Sequence, residues 1–254
     1  MKFTGHTILI TGGSAGIGLA FAARFLELGN EVIVTGRRPS ALDAAKARYP
    51  RLHTIAGDVR DPNGVALLAA AVRERFSRLD VLMNNAGIMV HRSLRVPAAS
   101  LEDLTAEMDT NVNGTIRTTS ALIDLITANR GTIINVSSAL AFVPLPSAPI
   151  YCATKAAIHS FTTSLRFQLE GSGVRVVELM PPAVKTDLTR GVPEGQLKRI
   201  TTDELVAATI PALEAGRAEI RPGQSNQLRW LSRLAPGIIN RLLYKTSKAL
   251  IPQA

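Results

Sequence analysis

The residues best suited to chemistry are a serine, a tyrosine and a lysine near the middle of the chain: Ser138, Tyr151 and Lys155. A helix over residues 151–170 would place Tyr151 and Lys155 on one face, with their Cβ atoms about 6 Å apart. Because a nearby cation favours a phenolate, we expect Lys155 to lower the pKa of Tyr151. Ser138 can hydrogen-bond the same substrate oxygen. The set predicts a tuned acid/base with an oxyanion-type clamp, suited to interconverting a carbonyl and an alcohol.

The Tyr-x-x-x-Lys spacing also occurs by chance on helices, so its interpretation depends on a glycine-rich turn near the N-terminus. Residues 6–11 form an apolar run that predicts a strand, and residues 12–18 lead from it directly into a helical pattern. Glycines there allow close backbone approach, and the amides of the helix N-terminus attract a pyrophosphate. The alternative is an ordinary turn, but the strand-turn-helix context favours dinucleotide binding. The predicted contacts are Gly12, Ser14, Gly16, Ile17 and Gly18.

Two arginines after the second predicted strand bear on the choice of dinucleotide. NAD sites usually carry an acidic residue about 20 positions beyond the glycines, on the ribose hydroxyls. Here the region reads Thr35-Gly36-Arg37-Arg38, without an acid. Guanidinium groups can bind a 2′-phosphate through charge-assisted hydrogen bonds, although they can also simply end a strand in solvent. NADP(H) is therefore predicted in preference to NAD(H), which stays possible.

The fold is predicted from short apolar runs that alternate with longer helical patterns. The predicted strands are residues 6–11, 31–35, 53–56, 81–84, 132–136 and 174–179, and helical patterns cover 16–28, 62–76, 101–127 and 151–170. Gly29 follows the first helix, where a left-handed C-terminal cap is expected. The alternation predicts an α/β fold with a Rossmann-type, doubly wound parallel sheet of about seven strands and helices on both faces. We expect a single domain over residues 1–254.

Composition narrows the function classes further. The 254 residues are 46% hydrophobic, enough for one large core. No apolar run approaches the roughly 18 residues of a membrane helix, and residues 1–5 lack the apolar core of a signal peptide, so a cytoplasmic location is expected. The single cysteine, Cys152, excludes an internal disulfide and is expected to be a small buried filler. The net charge is +9, but the basic residues are spread out and aromatics make up only 4%, so no nucleic-acid partner is expected.

Three motifs together resemble the short-chain dehydrogenase/reductase family. They are Thr-Gly-x-x-x-Gly-x-Gly from Thr11, Asn84-Asn85-Ala86-Gly87 after the fourth predicted strand, and Ser138 with Tyr151-x-x-x-Lys155. They stand in the family's order and spacing over residues 6–190. The sequence of residues 136–144 and 151–160 is similar to that of the DltE-like branch, whose name does not reveal a substrate.

The resemblance implies roles for further residues. Asn111 is similar to the family's asparagine that bends a helix and holds a water for proton relay. Lys155 would also hold the nicotinamide ribose, and Ser138 is preferred to Ser137 because it precedes Tyr151 by the usual thirteen positions. Asn84 is expected to brace neighbouring strands. The implied adenosine contacts are Asp58 and Val59 at the adenine, and Asn85, Ala86 and Gly87 at the ribose.

The segment after the sixth strand departs from the family. The usual Pro-Gly is Pro181-Pro182 here, and the missing glycine predicts a stiffer nicotinamide loop. The predicted contacts in this loop are Pro181, Val184 and Thr186. Lys185 stands where an acidic residue is expected. It either recruits an anionic substrate or points into water, and we favour the second.

Residues 187–254 are predicted to be a substrate loop and a C-terminal helical extension, with a loop over 186–200. Apolar residues recur in it among arginines and lysines, and Pro236-Gly237 divides it into two helices. The stripe is Leu228, Leu231, Leu234, Ile238, Leu242 and Leu243. It either packs on the protein or another subunit, which we favour, or lies on an anionic membrane. Trp230 is a candidate for the substrate pocket.

The leading hypothesis is an NADP(H)-dependent oxidoreductase that transfers hydride, without a metal, between nicotinamide and a carbonyl or secondary alcohol. Tyr151 would be the general acid/base, Ser138 would orient the oxygen, and Lys155 with Asn111 would relay the proton. The alternative is a cofactor-binding, non-catalytic sensor or membrane-surface interaction protein. The resemblance implies a homodimer or homotetramer formed by helices beginning near Leu101 and Tyr151. The small-molecule substrate is not identified, although residues 142–149 indicate a hydrophobic pocket.

Overall fold

The computed structural model describes residues 2–96, 100–189 and 199–251. The strands are β1 (Thr7–Thr11), β2 (Glu31–Gly36), β3 (His53–Ala56), β4 (Val81–Asn84), β5 (Thr132–Val136), β6 (Arg175–Leu179) and β7 (Glu219–Ile220). The helices are α1 (Gly16–Glu27), α2 (Pro39–Arg48), α3 (Pro62–Arg75), α4 (Leu101–Glu107), α5 (Gly114–Ala128), α6 (Pro149–Gln168), α7 (Thr202–Glu214), α8 (Ser225–Leu234) and α9 (Pro236–Ser247).

The seven strands form one parallel sheet in the order β3-β2-β1-β4-β5-β6-β7. The direction of strand addition reverses at β1, so a crevice opens beyond the carboxyl ends of β1 and β4. This arrangement confirms the predicted doubly wound α/β fold.

Both faces of the sheet are covered, which explains why the strands read as unbroken apolar runs. Ile8 and Ile10 of β1 pack in the core cluster that contains residues of α1 and α7. Leu9 points to the other face, into the cluster that contains residues of α3 and α5. Gly29 has φ +79° directly after α1, as the expected left-handed cap requires.

Two of the differences from the sequence prediction have a clear physical reason. Residues 101–127 were expected to be one helix, but a π-helical segment, Met108–Asn113, separates α4 from α5. Such wide turns are frequent at functional sites, and this one contains Asn111. The short strand β7 has only two residues, so it has no period-2 pattern to recognise.

The apolar stripe of the C-terminal extension falls on two helices, α8 and α9, as predicted, but only part of the stripe is buried. Leu243 is buried and Leu228 packs beside it, whereas Leu231, Leu234, Ile238 and Leu242 are exposed. Within the described residues, none of the helices combines the length and apolar character needed to cross a membrane. In the predicted loop over 186–200, Asp187–Thr189 form a short 3₁₀ turn, and residues 190–198 lie outside the described residues.

Candidate active site

A cavity of about 660 Å³ opens at the carboxyl ends of the strands. Its walls come from the loops after β1 to β6, and α8 and α9 complete one side. The predicted site residues that line it are Gly12, Ser14, Gly16, Ile17, Arg37, Arg38, Asp58, Val59, Asn85, Ala86, Gly87, Ser138, Tyr151, Lys155, Pro181, Val184 and Thr186. The two others, Gly18 and Asn111, lie directly behind the wall.

The turn after β1 needs glycine because it passes close to the loop after β4. Gly12 has φ +64°, and a Cβ there would lie 2.8 Å from the Cα of Ala86. A Cβ on Gly18 would lie 2.5 Å from the carbonyl oxygen of Gly12. Asn85 Nδ2 donates to the carbonyl oxygens of Thr11, at 3.0 Å, and Gly12, at 3.1 Å. The two loops therefore form one tightly packed wall.

The N-terminus of α1 faces this cavity without a local anion. Its N-cap is Ala15, and in the described part of the chain no side chain caps it and no acidic residue occupies its first turn. Amides at such a terminus are left for an external acceptor. A Cβ on Gly16 would lie 3.5 Å from Thr186 Cγ2, so the loop after β6 borders the same end. These residues fit the pyrophosphate of a dinucleotide.

The far end of the cavity is basic. Arg37 and Arg38 are exposed on its wall, and α2 begins immediately after them with its positive dipole end. Asp58 pairs with Arg60 at 2.7 Å. Although burial raises the pKa of Asp58, hydrogen bonds from Arg60 hold that pKa below its ordinary value. Two exposed guanidinium groups fit a phosphate better than an uncharged ribose.

Ser138, Tyr151 and Lys155 come together on the wall of the same cavity. Ser138 follows β5, and Tyr151 and Lys155 lie one turn apart on α6, as the spacing predicts. The Nζ of Lys155 is 5.5 Å from the centroid of the Tyr151 ring, and the Ser138 side chain is near enough to the phenol to lower its pKa. All three side chains are buried.

The prediction that Lys155 lowers the pKa of Tyr151 is wrong for this structure. Burial raises the pKa of Tyr151 by more than the Ser138 side chain lowers it, and Cys152 and Glu107 raise it further. The Lys155 ammonium donates instead to the carbonyl oxygen of Val136 at 2.8 Å. The phenol is therefore held in its neutral, proton-carrying form.

Lys155 is itself perturbed. Burial lowers its pKa to about 8, against the raising effect of the Glu178 carboxylate. An amine with such a pKa can gain or lose a proton near neutral pH. This property suits a relay, and it could not be read from the spacing of Tyr151 and Lys155.

Asn111 is fixed at the centre of the π-helical segment. Its Oδ1 accepts from the Ile88 amide at 2.8 Å, and its Nδ2 donates to Thr154 Oγ1 at 2.9 Å. Its Nδ2 also donates to the Ile88 carbonyl oxygen at 2.9 Å. A Cβ on Gly87 would lie 3.3 Å from Asn111 Oδ1 and 3.7 Å from Lys155 Nζ, so both groups flank the same glycine.

Three residues next to the motifs have structural contacts, and for Asn84 and Cys152 these were predicted. Asn84 Nδ2 donates to Thr119 Oγ1 and Asn135 Oδ1, both at 2.9 Å, and so braces β4 against its neighbours. Cys152 is buried, and its Sγ accepts from the Leu145 amide at 3.1 Å. His159 packs edge-on to Phe142 rather than entering the cavity.

The sequence analysis missed two buried carboxylates beside the site. Glu178 is fully buried in β6 and receives hydrogen bonds from Ser137 Oγ and, at 2.8 Å, from His159 Nδ1. Glu107 accepts from the Val90 amide at 3.1 Å, and burial raises its pKa. The signal for Glu178 was visible in the sequence, since it is an acidic residue inside the apolar run 176–179. A charged residue in a buried strand rarely lacks partners, so its position indicates a specific role.

The remaining cavity wall is mainly apolar. It includes Met89, Leu140, Leu145, Leu188, Leu228 and Leu243. The sequence analysis did not predict which residues of α8 and α9 line the cavity. Its one candidate for the substrate pocket, Trp230, is wrong, because Trp230 is 58% exposed on the outer surface. The loop after β6 enters the wall through Pro181 and Pro182, while Lys185 is exposed, as favoured from the sequence.

Comparison with known proteins agrees with this geometry. A family described as short chain dehydrogenase matches residues 6–197. The Bacillus subtilis (strain 168) protein "Uncharacterized oxidoreductase DltE" is 38% identical over 237 residues, which cover 92% of this chain and 94% of the relative.

Two solved structures are similar over nearly the whole chain. A short chain dehydrogenase from Burkholderia cenocepacia in complex with NADP has a TM-score of 0.84 and 28% identity, covering 96% of this chain and 99% of its own. A short chain dehydrogenase/reductase from Burkholderia phymatum in complex with NAD has a TM-score of 0.79 and 25% identity, covering 90% and 93%. The neighbours therefore include complexes with either nicotinamide cofactor.

Proposed function

The chain belongs to the short chain dehydrogenase family, and we propose that it is an NADP(H)-dependent oxidoreductase that interconverts a carbonyl and a secondary alcohol. Its membership makes it an oxidoreductase that binds a nicotinamide cofactor. The observation that carries the finer proposal is the convergence of Ser138, Tyr151 and Lys155 on the wall of the cavity that the glycine turn also lines.

The cofactor assignment rests on two parts of the cavity wall, the N-terminus of α1 and the arginines after β2. When bound, a nicotinamide dinucleotide supplies or accepts the hydride. The uncapped N-terminus of α1 binds the pyrophosphate, and Arg37 and Arg38 bind the 2′-phosphate. This basic end supports NADP(H) over NAD(H).

Proton transfer is assigned to the buried trio. Tyr151 holds a proton on its hydroxyl, because burial raises its pKa, and donates it to the substrate oxygen as negative charge develops there. Ser138 hydrogen-bonds that oxygen and orients it. Lys155, whose pKa is about 8, returns a proton toward Tyr151, and Asn111 fixes the loop after β4 beside it.

The substrate is proposed to be an apolar carbonyl compound or alcohol. Met89, Leu145 and Leu243 face the space beside Tyr151, and burying a hydrocarbon group against them is favourable. Cytoplasmic location stays a prediction from the sequence.

Self-association is a further part of the proposal. Leu101 on α4, Ile116 on α5 and Phe167 on α6 are exposed apolar side chains on the helices expected to pair. Sedimentation of the purified protein tests for a dimer or tetramer.

The proposed function is tested by NADPH oxidation across a panel of aldehydes and ketones. Tyr151→Phe should lower turnover by about 10²- to 10⁴-fold, the usual contribution of a general acid, while NADPH binding persists. Tyr49→Phe is the matched control, because Tyr49 follows α2 outside this cavity. Full turnover in Tyr151→Phe would refute the assigned acid, and NADPH binding without turnover in the wild type would favour the non-catalytic alternative.

A further inference from the structure

The outer face of α8 is apolar. Successive helical residues are about 100° apart, so Trp230, Leu231 and Leu234 share the side opposite Ser225, which is buried. Trp230 is 58% exposed and Leu234 is 78% exposed. Helix α8 therefore packs one side against the protein and leaves its more apolar side in solvent.

Helix α9, which follows α8 after Ala235, also exposes apolar side chains. Ile239 and Leu243 pack inward, whereas Ile238 and Leu242, four residues apart on one face, are exposed at 73% and 53%. We call the five side chains Trp230, Leu231, Leu234, Ile238 and Leu242 the outer apolar face. Exposed apolar side chains concentrated in this way mark a binding surface more often than isolated ones do.

The charged residues within α8 and α9 all have one sign. Glu219 is followed by no acidic residue up to Ile251. Arg221 and Arg229 both pair with Glu219. The exposed basic residues beside the face are Arg233, Arg241, Lys245 and Lys248, and within the described residues none of these four forms an ion pair.

We propose that the outer apolar face binds an anionic lipid bilayer, lying in the plane of its surface. Apolar side chains flanked by arginine and lysine are the pattern by which amphipathic helices enter the headgroup region of such membranes. A second copy fits less well, because a two-fold contact opposes each patch to itself and would bring the two sets of cations together. This inference goes beyond the proposed oxidoreductase function and does not depend on turnover.

Trp230 provides the measurement, because it is the only tryptophan in the chain. Its emission is recorded while full-length protein is titrated with phosphatidylglycerol vesicles or with phosphatidylcholine vesicles. We expect a shift to shorter wavelength with the anionic vesicles, co-sedimentation of protein with them, and reversal of both by high salt. No shift and no co-sedimentation with anionic vesicles would overturn the proposal.

Variants separate the contribution of the basic residues to vesicle binding from that of the outer apolar face. Arg241→Gln and Lys245→Gln should each weaken binding to anionic vesicles about fivefold. Leu234→Asp should abolish binding, whereas Leu67→Asp, at a 72% exposed site on α3, should leave it unchanged. Arg241→Gln and Lys245→Gln change no apolar residue, so they still decide the test if Leu234→Asp does not fold.

Two other outcomes would contradict the proposal. Equal binding to neutral and anionic vesicles would remove the role of the basic residues. A shift of Trp230 emission that follows protein concentration without vesicles, with a matching increase in sedimentation mass, would assign the face to a second copy of the chain.

Discussion

Lys155 and Tyr151 stand one helical turn apart, yet the Lys155 ammonium is directed to the carbonyl oxygen of Val136 and not to the phenol. Its Nζ lies 2.8 Å from that oxygen and 5.5 Å from the centroid of the tyrosine ring. Burial is therefore the largest influence on the pKa of both residues. It raises the pKa of Tyr151 and lowers the pKa of Lys155 to about 8. Both groups are held toward their neutral forms, so Tyr151 keeps its proton until negative charge develops on a substrate oxygen.

The buried amine should give stability a specific pH dependence. Lys155 has a folded-state pKa of about 8 against an ordinary value of 10.5. Below pH 8 the folded protein carries the full cost of a buried charge, and above pH 10.5 both states are neutral and that cost is absent. Stability attributable to Lys155 therefore rises with pH across this window, by about 3 kcal/mol.

The measurement is denaturant unfolding of the wild type and Lys155→Met over this pH range. Subtracting the two free energies of unfolding removes the opposing titrations that the proteins share, such as that of Cys152, whose pKa burial raises to about 11. The difference should move in favour of the wild type as pH rises. A difference that does not change with pH would show that Lys155 is not buried in its charged form.

Glu178 should stabilise both the fold and the charge on Lys155. It is fully buried, it accepts hydrogen bonds from Ser137 and His159, and its charge raises the pKa of Lys155. Glu178→Gln should lower the free energy of unfolding by about 1–3 kcal/mol, because a buried hydrogen-bond partner is lost. It should also lower the pKa of Lys155 further, so the pH window above should begin at lower pH.

Ser137→Ala is the matched control for Glu178→Gln. It removes one hydrogen bond but keeps the carboxylate, so stability should fall while the pH window stays in place. If the two variants shift the window equally, the charge of Glu178 is not the cause.

Much of this architecture followed from local sequence. Apolar runs bounded by turns placed the first six strands within one or two residues, because most of these strands are buried on both faces, although the edge strand β3 is only partly buried. The glycine turn was predictable since few residues other than glycine fit where Gly12 and Ala86 approach. The motif residues Ser138, Tyr151 and Lys155 were found because their spacing matches one helix face and one strand end.

What could not be predicted depends on contacts between distant segments. The π-helical segment is fixed by Asn111 bonding to Ile88, twenty-three residues away in the sequence. The direction of the Tyr151 pKa depends on burial under Leu243 and Val143, which no local pattern reveals. The exposure of Trp230 likewise follows from which side of α8 packs, and an amphipathic pattern with two apolar sides does not decide that.

Cofactor choice should depend on the two arginines after β2. Arg37→Ala and Arg38→Ala should each weaken NADPH binding about tenfold or more, because a charge-assisted hydrogen bond to phosphate is lost. NADH binding should change little, since NADH lacks the 2′-phosphate. Calorimetric titration with both cofactors measures this, with Arg48→Ala as the control, an arginine in the last turn of α2 outside the cavity. Equal weakening of NADH and NADPH would contradict the assignment.

The glycine turn should tolerate no side chain at Gly18, although that residue does not itself line the cavity. An added Cβ would lie 2.5 Å from the Gly12 carbonyl oxygen and 2.6 Å from Asn85 Nδ2, so Gly18→Ala must displace the turn after β1. Alanine also favours helix formation, by about 1 kcal/mol, which offsets part of the cost to folding. We therefore expect NADPH binding to weaken at least tenfold while cooperative unfolding persists. Gly237→Ala is the control, because a Cβ at Gly237 meets no described atom within 4 Å. If Gly18→Ala binds NADPH as tightly as the wild type, the turn after β1 does not form the cofactor wall, since a displaced wall cannot keep the same contacts.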